Sequence, residues 1–90
     1  MDITGVKIRK TENGGSLMAV AEITLDGELT IRDIRLIDGK KGWFVAMPAR
    51  KGADGNYYDI VYLANRMTQD LISDTIMDAY AKAVQKEERV

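Results

Sequence analysis

Apolar and polar positions alternate with a period of two from Asp2 to Lys10, where Val6 and Ile8 interleave with Lys7 and Arg9, and this predicts a half-buried β-strand. Glu12-Asn13-Gly14-Gly15 breaks it. From Leu17 to Leu25 one face carries Leu17, Ala19, Ala21, Ile23 and Leu25. The other opens with Met18 and Val20 and turns polar at Glu22 and Thr24, so Met18 and Val20 require cover. Asp26-Gly27 then signals a hairpin, because a type I′ turn needs positive φ and this pair adopts it at little cost. In the next run, Glu28 to Ile37, Leu29 and Ile31 share one parity whereas Ile34 and Leu36 take the other. A β-bulge near Arg32-Asp33 reconciles the two. The turn Asp38-Gly39-Lys40-Lys41-Gly42 leads into a strand from Trp43 to Met47, and Pro48 ends it because proline cannot donate to a ladder. Ala49 to Asn56 reads as an exposed loop and Tyr57 to Tyr62 as a short fifth strand.

After Leu63 the period changes to that of a helix. Ile72, Ile76, Ala79, Tyr80 and Ala83 recur at three- and four-residue steps and line one face from about Thr68 to Glu87, with Leu71 and Met77 as a second apolar row. Asp70, Asp74 and Asp78 precede Lys82 and Lys86, the order that complements the helix dipole and allows an Asp78–Lys82 pair. The resulting architecture is α+β: one domain over residues 1–90, with an antiparallel sheet of four to five strands and a C-terminal helix packed on one face.

Composition narrows the chemistry. Ninety residues, 46% of them apolar, allow one core, and a chain this short buries only about 60–65% of its unfolded surface, which favours further burial in a homodimer. Cysteine and histidine are both absent, which removes the commonest metal ligands, the thiolate nucleophile and the usual general base near neutral pH. Asp26, Asp38 and Asp54 lie in or beside turns, where Asp is favoured for its local hydrogen bonds, and their spacing follows no metal-ligand pattern. The expectation is a protein that is not an enzyme, with no cofactor, no metal and no evident small-molecule substrate. With no apolar leader-like run and no stretch that spans a bilayer, the expected location is cytoplasmic, away from the membrane.

Charge is not evenly spread. From Arg32 to Lys51 six cations (Arg32, Arg35, Lys40, Lys41, Arg50, Lys51) face two carboxylates (Asp33, Asp38), although the formal net charge of the chain is −1. Such an island suggests a polyanion site, with Arg50, Lys51, Lys40 and Lys41 in two turns at strand ends able to neutralise phosphates. The plainer reading of each pair is a solvated turn. Arg66, at the start of the helix, can equally reach a phosphate or stand as a solvated cation. Trp43, Phe44, Tyr57 and Tyr58 interleave with these charges as on a single-strand stacking platform. Alternation, however, sends Trp43 and Phe44 to opposite faces, so one of them is expected in the core and one tyrosine outside.

The stretch Asp33 to Lys51, continued by Asp54-Gly55-Asn56-Tyr57-Tyr58-Asp59-Ile60, resembles the stage V sporulation protein G (SpoVG) family, small bacterial regulators that bind DNA and RNA. The likeness extends to Met1-Asp2-Ile3-Thr4-Gly5-Val6-Lys7-Ile8-Arg9 and to Ala21-Glu22-Ile23-Thr24-Leu25-Asp26, so it covers most of the chain up to about Ile60. The resemblance implies the same α+β fold, a homodimer, nucleic acid (DNA or RNA) as partner and a history in sporulation and septation. Arg50 and Lys51, which follow the Met47-Pro48 step, match the family's basic residues by position. The chain departs from the family further on: a His-Pro step and a helix-borne arginine give way to Tyr62-Leu63 and the acidic Asp70, Asp74 series. The expected function is a nucleic-acid-binding regulator. The alternative is a protein-interaction adaptor that works through a sheet edge or helix face without touching nucleic acid.

Overall fold

The computed structural model of the protein describes residues 1–11 and 15–88, with side chains as far as Lys86. The break predicted at Glu12, Asn13 and Gly14 lies outside the described residues. Four strands form an antiparallel meander in the order β1 (Ile3–Lys10), β2 (Leu17–Leu25), β3 (Leu29–Gly39) and β4 (Gly42–Ala46). A separate two-stranded sheet pairs β5 (Ala49–Lys51) with β6 (Tyr57–Asp59), and one helix, α1 (Arg66–Glu88), closes the fold. No helix among the described residues is long and apolar enough to cross a membrane.

The hairpin at Asp26-Gly27 forms as its residue types dictate. Both have positive φ, 53° and 65°, and the Glu28 amide donates to the Leu25 carbonyl at 3.0 Å. The start of β1 is tied to the same turn, since the Asp2 amide donates to Asp26 Oδ1 at 2.8 Å and the Gly27 amide to Thr4 Oγ1 at 2.8 Å.

The bulge expected at Arg32-Asp33 is present. The register steps from Ala21↔Ile34 to Ile23↔Ile31, so Arg32 and Asp33 together oppose Glu22, and Asp33 takes a φ of 59°. This left-handed residue keeps both Ile31 and Ile34 in the core despite their opposite parity. Further irregularities fall between Leu17 and Ala19 on β2 and between Ile3 and Gly5 on β1.

The core lies between the sheet and α1. Ala19, Ala21, Ile23 and Leu25 of β2 and Ile34 and Leu36 of β3 are buried, and Ile72 and Ile76 of α1 reach zero exposure against them. Asn65 caps the helix, its Oδ1 accepting from the Met67 amide at 2.9 Å and the Thr68 amide at 3.4 Å. Asp78 and Lys82 make the predicted pair at 3.0 Å.

Two expectations are corrected. Ala49 to Asn56 is not one exposed loop, and the fifth run does not extend the main sheet. Instead Ala49–Lys51 forms a strand of its own, paired to Tyr57–Asp59 in register Ala49↔Asp59, Arg50↔Tyr58 and Lys51↔Tyr57. Three-residue strands are too short to show alternation, and Pro48 detaches this unit from β4. The second correction concerns the aromatics: neither Trp43 (42% exposed) nor Phe44 (48%) is core, and both Tyr57 and Tyr58 are exposed. Because β4 is an edge strand near the end of the helix layer, Trp43 is only partly covered, by an edge-on contact with Tyr80 at 5.4 Å between centroids.

Candidate nucleic-acid interface

Arg50 and Lys51 project from β5 and are exposed, standing opposite Tyr58 and Tyr57. The turn that joins β5 to β6 is held by a single carboxylate. Asp54 Oδ1 accepts from the Asn56 amide at 3.0 Å, while Oδ2 accepts from the Tyr58 hydroxyl at 2.5 Å and from Asn56 Nδ2 at 3.3 Å. These donors, the Tyr58 hydroxyl first, hold the Asp54 carboxyl below the ordinary carboxylate range. The Gly52 amide donates to the Asn56 carbonyl at 2.7 Å, and a side chain at Gly52 would meet the Tyr58 ring at 2.8 Å, so the ring lies directly over the backbone. The basic pair therefore sits on a braced β-hairpin. No ion pair engages either cation among the described residues.

Lys40 and Lys41 form the two-residue loop between Gly39 and Gly42, and both are exposed. They lie at the far end of β4 from the hairpin, about 13 Å away along that strand alone, so the structure does not bring the two basic pairs together. Arg66 opens α1 and is committed locally: its Nε donates to Asp70 Oδ1 at 3.0 Å in an exposed i,i+4 pair. Such a pair is weak, worth about 0.3–0.5 kcal/mol in general, and a phosphate can compete for the guanidinium.

The register also places charges that the sequence pattern did not single out. On the side of the main sheet away from α1, Arg9, Val20, Arg35 and Ala46 form one row across all four strands. Lys7 lies opposite Glu22 on the same face, and the bulge brings Arg32 there as well, its Nε 3.3 Å from Glu22 Oε1. Four cations thus share this uncovered face with two carboxylates, Glu22 and Asp33. The alternation of Lys7 and Arg9 was visible in the sequence. What was not visible is that no layer covers their face and that the bulge turns Arg32 and Arg35 toward the same side.

The face continues into the hairpin. Val20, Asp33 and Arg35 of the sheet border a shallow depression of about 330 Å³ with Pro48, Ala49 and Ile60 at the hairpin's base, and the Ile60 amide donates to the Pro48 carbonyl at 2.7 Å. The hairpin's base supplies part of the cover that Val20 requires. Among the described residues no group of three carboxylates is placed to hold a metal ion.

Comparison with known proteins identifies the lineage of this arrangement. The SpoVG family model matches residues 1–82. A protein of Lachnospira eligens named "Putative septation protein SpoVG" is 44% identical over 88 residues, covering 98% of this chain and 100% of the relative. The protein of the same name from Bacillus pumilus is 39% identical over 90 residues, covering 100% of this chain and 92% of its own. From Listeria monocytogenes serotype 4b, a relative whose name ends in SpoVG 1 is 43% identical over 83 residues, covering 92% and 81%.

Proposed function

Because the chain belongs to the SpoVG family, we propose that it is a small regulatory protein of septation and sporulation that acts by binding nucleic acid, DNA or RNA, as a homodimer. The observation that carries this reading is the braced hairpin, which holds Arg50 and Lys51 exposed and without a carboxylate partner among the described residues. Cations held this way neutralise phosphates with little sequence preference, and each neutralised phosphate releases counterions. In a dimer two such hairpins engage one polymer and gain by effective concentration.

Exposed apolar surface supports self-association. Ile60, Tyr62, Met67 and Leu71 are 61%, 74%, 82% and 51% exposed, and β1 and β4 both end the main sheet as edge strands. Sedimentation equilibrium at micromolar concentration is expected to give twice the chain mass, and a monomer throughout would exclude the dimer.

The test of the binding reading is a gel-shift series on mixed DNA and RNA pools at two salt concentrations. The wild-type protein is expected to bind more weakly as salt rises. Replacing Arg50 and Lys51 by Ala should weaken binding to all sequences and flatten its salt dependence by the equivalent of about two neutralised phosphates. Unchanged affinity at low salt would remove the hairpin from the site. Absence of any binding would favour the adaptor, for which the same exposed apolar surface and free strand edges are the supporting observation.

A further inference from the structure

The uncovered face of the main sheet carries more positive charge than its place in a protein of net charge −1 requires. Along β1, Lys7 and Arg9 stand about 6.6 Å apart, and Arg35 lies two strands from Arg9, about 9.6 Å across the sheet. Of the four cations on this face only Arg32 has a carboxylate within ion-pair distance among the described residues, at Glu22, which leaves Lys7, Arg9 and Arg35 available. Their shared row with Val20 is contiguous with the hairpin through the depression at Pro48, Ala49 and Ile60.

One end of this face is aromatic. Phe44 pairs with Ile37 and lies two residues along β4 from Ala46, the last member of the Arg9–Val20–Arg35 row. Its ring rests over Gly39, where an added Cβ would meet it at 2.8 Å, and it remains 48% exposed. Across the face Phe44 therefore lies about 8 Å from Arg35, about 16 Å from Arg9 and about 20 Å from Lys7, none of which is in an ion pair among the described residues. The opposite side differs: α1 carries three cations against five carboxylates along its length.

We infer that the uncovered sheet face is a binding surface for single-stranded nucleic acid, in which Arg9, Arg35 and Lys7 neutralise backbone phosphates and an unpaired base stacks on Phe44. The inference rests on the nucleic-acid reading above and extends it to a second surface. Charge complementarity selects a polyanion. The aromatic ring selects a single strand, because bases paired within a duplex do not offer a free π-face to a side chain. Binding of this kind tolerates any sequence, since every nucleotide presents a phosphate and a π-face.

The experiment is a fluorescence-anisotropy titration of the full chain with a labelled single strand of about 12 nucleotides, as DNA and as RNA, and with the matching duplex, over a range of salt. The double variant Arg9→Ala/Arg35→Ala is expected to bind the single strand more weakly, and the slope of log K against log salt should fall by about 1.4, or about 0.7 for each phosphate that is no longer neutralised. Phe44→Ala should weaken single-strand binding about tenfold and leave the salt slope in place. Glu22→Gln removes a carboxylate from the face and should tighten binding, a gain that a folding defect cannot mimic. If the wild-type chain binds no nucleic acid at low salt, the reading of its function fails. If it binds and Arg50→Ala/Lys51→Ala weakens it while Arg9→Ala/Arg35→Ala and Glu22→Gln change nothing, the sheet face alone is overturned. Duplex binding as tight as single-strand binding and indifferent to Phe44→Ala overturns the choice of occupant.

Discussion

Asp54 shows how much one side chain organises around the basic hairpin. Its two oxygens take three donors from Asn56 and Tyr58, an arrangement that favours the ionised carboxyl over the protonated one. Its proton affinity in the fold is below that of an ordinary carboxylate, so the stability it contributes is present above the ordinary value and is lost as pH falls through the folded one. The hairpin amides of Gly52, Gly55 and Asn56 are therefore expected to shift together on acidification of the wild-type protein in NMR spectra. In Asp54→Asn they should lose that transition. An acid transition retained unchanged in the variant would assign it to another group. Asp33 acts on a comparable scale: a residue type that tolerates positive φ holds the bulge, and the bulge in turn decides which way two arginines point.

At the scale of elements, the helix is an amphipathic lid whose sequence signal and packing agree. Ile72 and Ile76 are fully buried, whereas Leu71 in the second apolar row is half exposed beside the β1 edge. Ile76→Ala is expected to cost about 2–5 kcal/mol, read as a lower denaturant midpoint at unchanged slope, and Leu71→Ala much less. Equal effects would mean that both rows are covered in solution. The five apolar positions of the helix and the alternation of β1 and β2 were legible because each element is long enough to repeat its own period. β5 and β6 were not. Three residues cannot establish a period, and their pairing rests on a five-residue turn braced by Asp54 and on Pro48 releasing the chain from β4.

For the whole molecule, charge is divided between two sides: the helix is acidic in sum and the far side of the sheet is basic. Asp74 is exposed on α1 and makes no ion pair among the described residues. Asp74→Asn should leave stability within about 0.5 kcal/mol and, by weakening a repulsive field, slightly strengthen nucleic-acid binding at low salt. A folded variant that no longer bound would place the helix within the binding surface. The field of the molecule, rather than any one side chain, is what that measurement reads.

By itself the sequence determined the α+β class, the meander with its Asp26-Gly27 turn, the Arg32-Asp33 bulge, the helix and its buried stripe, and the family. Each of these is written in local periodicity, in turn chemistry or in a run of matching residues. Only the tertiary structure decided that Arg50 and Lys51 lie on a hairpin far from Lys40 and Lys41, that Arg66 is paired to Asp70, and that Trp43 and Phe44 are both half exposed. It also decided that Lys7, Arg9, Arg32 and Arg35 share a face. Alternation says that two side chains point to opposite sides of a strand, but which side is covered depends on where the one helix docks, and a single helix covers only one.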